Sequence, residues 1–181
     1  ISTATTSQRR QMIFELLTIY ELTKSSPPNP PRGQLQVPLA IGLVQAEEIG
    51  DSRVERLATF FRKYKSPLEA EAKTFVEVAD LYKIDFRILP AISVVESTGC
   101  KHTPKQSKFN CFGFGCSTGA KCIKFDSYAH AIQTVGGKIG SSKTYSEFQR
   151  TKSIEALGRK YCGGDSKVWS IKVQGLMEGM K

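Results

Sequence analysis

One carboxylate of this chain stands where acid catalysis would need it. Glu96 comes near the end of the apolar run 85–97, and a segment rich in glycine and cysteine follows it. Apolar surroundings and the C-terminus of a helix both disfavour the anion, so we expect the pKa of Glu96 to be raised. A carboxylic acid that keeps its proton near neutral pH is the group that protonates a glycosidic oxygen. The residues therefore predict acid-catalysed cleavage of a sugar polymer, with Glu96 as the proton donor.

The competing interpretation of Glu96 is a solvated side chain at a helix end, paired with Lys101 or Arg87. A second carboxylate would favour catalysis, since glycosidases usually carry a base or nucleophile roughly 5–10 Å from the acid. Between residues 97 and 146 the only acidic residue is Asp126. We interpret Asp126 as a helix cap, a position that its neighbour Ser127 could also fill. Three routes therefore stay open: a substrate-assisted step through an N-acetyl group, an intramolecular attack that forms an anhydro sugar, or loss of activity.

Apolar residues at helical spacing predict the elements that must position Glu96. Ser66 is expected to cap a helix that has Pro67 at its first position and Glu69 three residues on. The run that ends at Glu96 is apolar nearly all round and is predicted to be a core helix. Trp169 falls on the apolar face of the last helix and is expected in the core. We predict helices around 54–64, 66–79, 85–97, 126–139, 151–161 and 166–180. The predicted fold class is mainly α, with a small loop or β lobe at 100–125.

The cysteines predict a covalently braced lobe. Four of the five lie within 23 positions of one glycine-rich segment: Cys100, Cys111, Cys116 and Cys122. Disulfides formed in an oxidising compartment are the simplest account, which leaves Cys162 as the odd one unless it reaches back to this cluster. Free thiols and a structural zinc site that includes His102 are the alternatives, although the chain has no Cys-x-x-Cys pair. We otherwise expect no metal and no cofactor.

Length and charge narrow the class of protein. The 181 residues fit one domain with an appendage, and we place the domain at 54–181 after an N-terminal extension, 1–53. Within that extension, 8–24 is predicted to be a short amphipathic helix and 25–33 a proline-rich linker. The net charge of +9 suits an anionic partner such as an acidic cell-wall or membrane surface. No apolar stretch reaches the roughly 20 residues of a membrane span.

Several pieces of the sequence, taken in order, resemble the glucosaminidase-like branch of the lysozyme-like superfamily, which includes domains similar to mannosyl-glycoprotein endo-beta-N-acetylglucosaminidase. The resemblance covers roughly 54–181. Its pieces are Lys65-Ser66-Pro67-Leu68, Phe75-Val76, Ala79, Leu89-Pro90-Ala91-Ile92, Glu96-Ser97, Asn110-Cys111-Phe112-Gly113-Phe114-Gly115, Phe125-Asp126-Ser127-Tyr128, Tyr161 and Trp169-Ser170-Ile171-Lys172-Val173.

The resemblance implies an α+β lysozyme-like fold and a secreted, periplasmic or envelope-associated hydrolase that cleaves the glycan strands of peptidoglycan as a monomer. It implies Glu96 as the catalytic acid and Tyr161 as a second catalytic residue near the scissile sugar. The residues implied to bind substrate are Ser97, Asn110, Phe112, Gly113 and Phe114. A lytic transglycosylase that forms anhydro ends is the enzymatic alternative.

Each of these residues also has a structural interpretation. Tyr161 is also interpreted as a packed aromatic residue at a helix end, and Asn110 as a turn residue. Phe112 and Phe114 either line a sugar subsite or anchor the loop, and Gly113 serves a backbone conformation that other residues avoid.

Two classes of protein without enzymatic activity stay open. A peptidoglycan-binding module that has lost turnover would explain the missing second carboxylate. A nucleic-acid binder would explain the charge, but the aromatic residues do not interleave with Lys and Arg in a stacking motif, so we expect no nucleic-acid partner.

Overall fold

The computed structural model describes residues 50–116 and 122–181, and within them the chain is helical with no β-strand. The helix predicted over 8–24 and the proline-rich linker lie outside the described residues. The α-helices are α1 (Ser52–Lys63), α2 (Ala72–Tyr82), α3 (Ile88–Ser97), α4 (Tyr128–Ser141), α5 (Ser146–Thr151), α6 (Ile154–Tyr161) and α7 (Ser166–Glu178). Short 3-10 turns occupy Pro67–Glu71, Lys105–Ser107 and Lys143–Tyr145. The mainly α prediction is confirmed. Of the loop or β lobe predicted at 100–125, the described part is a loop with one 3-10 turn and no strand.

Local sequence signals explain where several helices begin. Ser66 accepts a hydrogen bond from the N–H of Leu68 at 3.1 Å, as predicted, although the turn it starts is a 3-10 turn that α2 then continues. Ser127 rather than Asp126 caps α4, because its hydroxyl accepts the N–H of His130 at 3.0 Å. These side chains satisfy N–H groups that have no partner inside the helix.

The helix predicted over 151–161 is present as α6 but begins at Ile154, and the short helix α5 that precedes it was not predicted. The two helices are separated by a left-handed residue. Lys152 has φ +57°, which ends α5, and Ser153 then caps α6 by accepting the N–H of Ala156. The left-handed region is disfavoured for residues with a Cβ, and the ammonium group of Lys152 donates to the carbonyl of Lys83 at 3.0 Å. This break turns the chain so that α6 packs against α7.

The core is made by the apolar faces of all the longer helices. Its largest fully buried side chains include Leu57, Phe61, Phe75, Leu89, Ile92, Phe112, Ile132 and Phe148. Phe112 comes from the loop after α3 and contacts Phe75 edge to face at 6.4 Å between ring centroids. The loop is thus anchored in the same core as α2 and α3. No helix among residues 50–116 and 122–181 is both long enough and apolar enough to cross a bilayer.

Gly136 allows α4 to approach α2 and α3 closely. A Cβ at this position would lie 2.3 Å from Cγ1 of Val78 and 3.1 Å from Cδ1 of Leu89. We expect Gly136→Ala to lower the free energy of unfolding by about 1–3 kcal/mol, the usual cost of overpacking a core. Urea denaturation measures this change.

Gly175→Ala is the matched control, because Gly175 is also inside a helix but has nothing within 4 Å of its would-be Cβ. Alanine there should stabilise the protein by about 0.5–1 kcal/mol through helix propensity alone. Equal effects at the two positions would show that the α4 contact is not tight.

Candidate functional site

The carboxylate of Glu96 is held between α3 and α7. Its Oε1 accepts a hydrogen bond from the indole N–H of Trp169 at 2.8 Å. Trp169 is buried, as predicted, but its role next to Glu96 was missed because helical periodicity gives only the face on which a residue lies. Arg87 pairs with Asp85 at 2.6 Å instead, so the predicted alternative partnership of Arg87 with Glu96 is wrong.

Glu96 is open to solvent on one side and enclosed on the other. The residue as a whole is exposed, but Trp169 and Gly113 lie directly against its carboxylate. Desolvation by these neighbours raises the pKa of Glu96, and the hydrogen bond from Trp169 lowers it by a smaller amount. The net direction is upward, in agreement with the prediction from the sequence. The Glu96 side chain therefore keeps its proton to a higher pH than an ordinary glutamate and is still accessible to a ligand.

The two carboxylate oxygens of Glu96 have different surroundings. An indole N–H can only donate, so Oε1 must act as the acceptor in both protonation states. Oε2 has no hydrogen-bond partner among the described residues and lies 3.0 Å from where a Cβ of Gly113 would be. In the acid form the proton is therefore on Oε2, the oxygen that faces Gly113 and the open side.

Gly113 is the residue that leaves this space free. It is exposed and has φ +58°, a conformation that residues with a Cβ rarely adopt. Any side chain at this position would contact the Glu96 carboxylate directly. The backbone conformation predicted for Gly113 is confirmed by its positive φ, and the absence of a Cβ leaves room beside Oε2 of Glu96.

A disulfide and a serine hydroxyl fix the loop that carries Gly113. Cys100 and Cys111 form one disulfide, Cys116 and Cys122 form a second, and Cys162 is a free thiol. The predicted zinc alternative is therefore wrong for these four cysteines, and the two disulfides indicate an oxidising environment. The Ser97 hydroxyl donates to the carbonyl of Cys111 at 2.7 Å and accepts the N–H of Cys100 at 2.9 Å.

Backbone conformation directly after Glu96 is unusual. Thr98, Gly99 and Cys100 all have positive φ values, of 54°, 66° and 70°. The N–H groups of Thr98 and Gly99 bond to the carbonyls of Val94 and Ser93, which closes the end of α3. Ser66 donates its hydroxyl to the carbonyl of Gly99 at 2.6 Å and so supports this turn from the other side. The sharp turn sends the chain into the disulfide-closed loop without extending α3 past the carboxylate.

Asn110 is buried and uses its amide to hold the loop. Its Nδ2 donates to the carbonyls of Phe114 and Ile123 at 2.8 and 3.0 Å, and its Oδ1 accepts the N–H of Phe114 at 3.0 Å. Ser97 and Phe112 are also buried. Of the residues implied to bind substrate, these three have side chains turned into the protein, whereas Gly113 is exposed and Phe114 is partly exposed.

Tyr161 supports the same loop from α6. Its hydroxyl donates to the carbonyl of Phe112 at 2.7 Å, and its ring stacks on Trp169 with centroids 5.5 Å apart. Burial, and then the negative charge of Glu96, raise the pKa of Tyr161 well above its ordinary value, so the phenol stays neutral. The ring of Phe114 is tilted against that of Tyr161, with centroids 6.2 Å apart. Phe114, Tyr161 and Trp169 thus form a row of rings beside Glu96.

Asp126, the acidic residue considered as a second carboxylate, is turned to solvent and pairs with a histidine. Its side chain is 95% exposed and accepts a contact from Nδ1 of His130 at 3.1 Å, on the same turn at the start of α4. Among the described residues, no group of three or more His, Cys, Asp or Glu side chains is arranged to hold a metal ion. A cavity of about 660 Å³ lies between α1 and α2, with Asp51, Glu77 and Asp80 in its wall, and Glu96 does not line it.

Comparisons of the chain with models of protein families, with curated proteins and with solved structures gave no significant match.

Trp169 provides a direct readout of Glu96, because it is the single tryptophan of the chain. We expect tryptophan fluorescence, excited where tyrosine does not absorb, to change with pH at a midpoint above 4.5, the ordinary pKa of a glutamate. The physical reason is that protonation changes the acceptor of the indole N–H. In Glu96→Gln the same hydrogen bond can form without titration, so the transition should vanish. A transition of equal size and midpoint in both proteins would assign it to another group.

Gly113→Ala tests the closeness of the loop to Glu96. The added methyl group displaces water beside Oε2, so we expect the midpoint of the fluorescence titration to rise further. Positive φ alone should cost about 1–2 kcal/mol of stability. Gly115→Ala is the control, since Gly115 has φ +62° but its would-be Cβ points at Ile123. It should lose stability and leave the midpoint unchanged. A shift of the midpoint in the control, or none in Gly113→Ala, would contradict the geometry.

Proposed function

We propose that the protein is a glycoside hydrolase that cleaves the glycan backbone of peptidoglycan, with Glu96 as general acid. The observation that carries this proposal is the state of the Glu96 carboxylate. Its pKa is raised, one oxygen is occupied by Trp169, and the other faces a glycine on an open side. A general acid needs both a proton at the working pH and access to the leaving oxygen.

The proposed reaction begins with transfer of the proton from Oε2 of Glu96 to the glycosidic oxygen. The bond between this oxygen and the anomeric carbon then breaks, and positive charge develops on the sugar ring. The leaving sugar departs as a neutral alcohol, and Glu96 becomes a carboxylate. The Trp169 N–H then stabilises the charge that Glu96 has acquired, because a hydrogen bond to the anion favours it.

The developing positive charge needs a partner, and substrate assistance is the route that we favour. The carbonyl oxygen of the N-acetyl group of the sugar attacks the anomeric carbon and forms a cyclic oxazolinium ion. Water then opens this ring while Glu96 takes up the proton of the water, which restores the acid. This series of reaction steps needs only one carboxylate. It therefore agrees with a site where Asp126 is exposed and paired with His130. Attack by the 6-hydroxyl group of muramic acid instead of water would give an anhydro end.

Tyr161 has a positioning role in this proposal. Its hydroxyl is engaged with the carbonyl of Phe112, and its pKa is far too high for proton transfer near neutral pH. It therefore holds the Gly113 loop and the Trp169 ring in place beside Glu96. Ser97, Asn110 and Phe112 act in the same way on the loop. Gly113 and Phe114 are the two residues of the loop that we expect to contact a sugar.

The proposed setting is outside the cytoplasm, where disulfides persist and peptidoglycan is present. The two disulfides fit a secreted, periplasmic or envelope-associated protein. The excess of basic residues suits an anionic wall. A monomer is sufficient for this chemistry, since Glu96 and the residues around it belong to one chain.

The proposal is tested by digestion of purified peptidoglycan with the wild type, Glu96→Gln and Gly175→Ala, followed by mass spectrometry of the new chain ends. We expect fragments from the wild type and from Gly175→Ala, and a loss of at least about 100-fold with Glu96→Gln, as is typical for removal of a general acid. A reducing N-acetylglucosamine end identifies a glucosaminidase. A reducing N-acetylmuramic acid end or an anhydro end identifies one of the other reactions.

The variant Glu96→Gln also separates catalysis from binding. If neither protein releases fragments but both bind the polymer, the hydrolase proposal fails and a peptidoglycan-binding module takes its place. Equal release by the wild type and by Glu96→Gln would remove Glu96 from the mechanism.

A further inference from the structure

Positive charge is concentrated in the loop that follows Glu96. From residue 97 to residue 125 the sequence contains no Asp or Glu. The described part of this stretch carries exposed lysines at Lys101, Lys105, Lys108 and Lys124, and the first three lie between the paired Cys100 and Cys111. None of them forms a salt bridge with any described side chain, whereas Arg53, Arg62 and Arg87 are all paired with carboxylates. The loop therefore presents cationic groups that no carboxylate of residues 50–116 or 122–181 neutralises.

The lysines sit on a fixed loop rather than on a free tail. The Cys100–Cys111 disulfide closes the loop at its base. Inside it, the Thr103 hydroxyl donates to the carbonyl of Lys108 at 3.1 Å. The N–H of His102 donates to the carbonyl of Ser97 at 3.0 Å. Because the loop is braced, its lysines start from fixed backbone positions, and a partner does not have to order the backbone on binding.

Both ends of this loop lie at the candidate site. It leaves from the end of α3, directly after Glu96, and it returns through Cys111 to Gly113, which lies against the Glu96 carboxylate. A polymer seated beside Oε2 of Glu96 therefore lies next to the base of the loop. The lysines of the loop are thus close enough to the site to contact the polymer strand that is bound beside Glu96.

We propose that the loop Lys101–Lys108 binds carboxylate groups of the polymer strand that occupies the Glu96 site, so that the preferred substrate is an anionic glycan with free carboxylates on its peptide stems. The inference rests on the proposed function and adds the feature of the substrate that the loop recognises. At exposed sites, each pair of an ammonium group and a carboxylate raises the binding affinity by roughly 2- to 5-fold. Salt screens this attraction.

The experiment measures binding without turnover. Full-length Glu96→Gln protein is titrated onto purified peptidoglycan that has been freed of phosphate polymers, and onto the same material after chemical amidation of its carboxylates. The test variant adds Lys101→Gln and Lys105→Gln. Lys108 is left intact because its ammonium group lies over the Phe109 ring at 4.5 Å, where it also contributes to packing.

The matched control adds Lys138→Gln and Lys143→Gln, which remove the same charge. Both lysines are exposed and lie at the far end of α4. Lys138 is roughly 15 Å along the helix from Tyr128, the residue that contacts Phe109 of the loop. A general effect of net charge would weaken both variants equally.

We expect the test variant to bind native peptidoglycan about 4- to 25-fold more weakly than its parent at low salt. We expect the control to bind like the parent, and amidation to abolish the difference between test and parent. Equal binding by test and control, or no effect of amidation, would overturn the inference.

A soluble glycerol-phosphate polymer serves as competitor in a further arm. If it displaces the parent but not the test variant, while amidation has no effect, the loop recognises phosphate and the inference is overturned in favour of that polymer. Hydrolysis is read separately, from fragment release by the wild type. Loss of the carboxylate preference therefore contradicts the inference alone, and absence of fragments contradicts the proposed function alone.

Discussion

The hydrogen bond between Trp169 and Glu96 is the contact on which the candidate site depends. It joins two residues 73 positions apart in the chain, one near the end of α3 and the other in α7, and these two helices pack against each other. It also decides which carboxylate oxygen is free, because the indole N–H can only donate. The stack of Tyr161 on Trp169 then aligns α6 with the same point. Through this hydrogen bond and this stack, α3, α6 and α7 all contribute a side chain to the surroundings of the Glu96 carboxylate.

The loop from Thr98 to Phe114 depends on polar groups that would otherwise be available to a ligand. The hydroxyl of Ser97, the amide of Asn110 and the hydroxyl of Tyr161 all bond to the backbone of this loop. Backbone groups near the protein interior need such partners, and no strand is present in this described part of the chain to provide them. These side chains are important for the site because they replace the ladder of a β-sheet.

The sequence predicted most of the helices and the raised pKa of Glu96, because both depend on local signals. Apolar spacing indicated the faces of α2, α3, α4 and α7, and the apolar run before Glu96 indicated its environment. The break at Lys152 was missed, although Ser153 is a residue that commonly caps a helix. The glycines and cysteines of 100–125 predicted a loop or a β lobe without deciding between them, because their composition fits both.

Other features of the site depend on how distant segments meet, and no local pattern contains that. The cysteine spacings allowed several pairings, and only the fold brings Cys111 back to Cys100. The direction of the Trp169 indole depends on the angle between α7 and α3. The roles of Asn110 and Tyr161 depend on which carbonyl groups the folded loop turns towards them.

The raised pKa of Glu96 also links protonation to the stability of the fold. The folded chain holds this proton more tightly than the unfolded chain, where the pKa of a glutamate is close to 4.5. Between the unfolded and the folded pKa the native state binds more protons, so the contribution of Glu96 to the free energy of unfolding falls as the pH rises. Below both values this contribution is fully present, and above the folded pKa it is lost. The charged carboxylate of Glu96 is thus the form that the fold tolerates less well, and uptake of a proton by this group stabilises the protein.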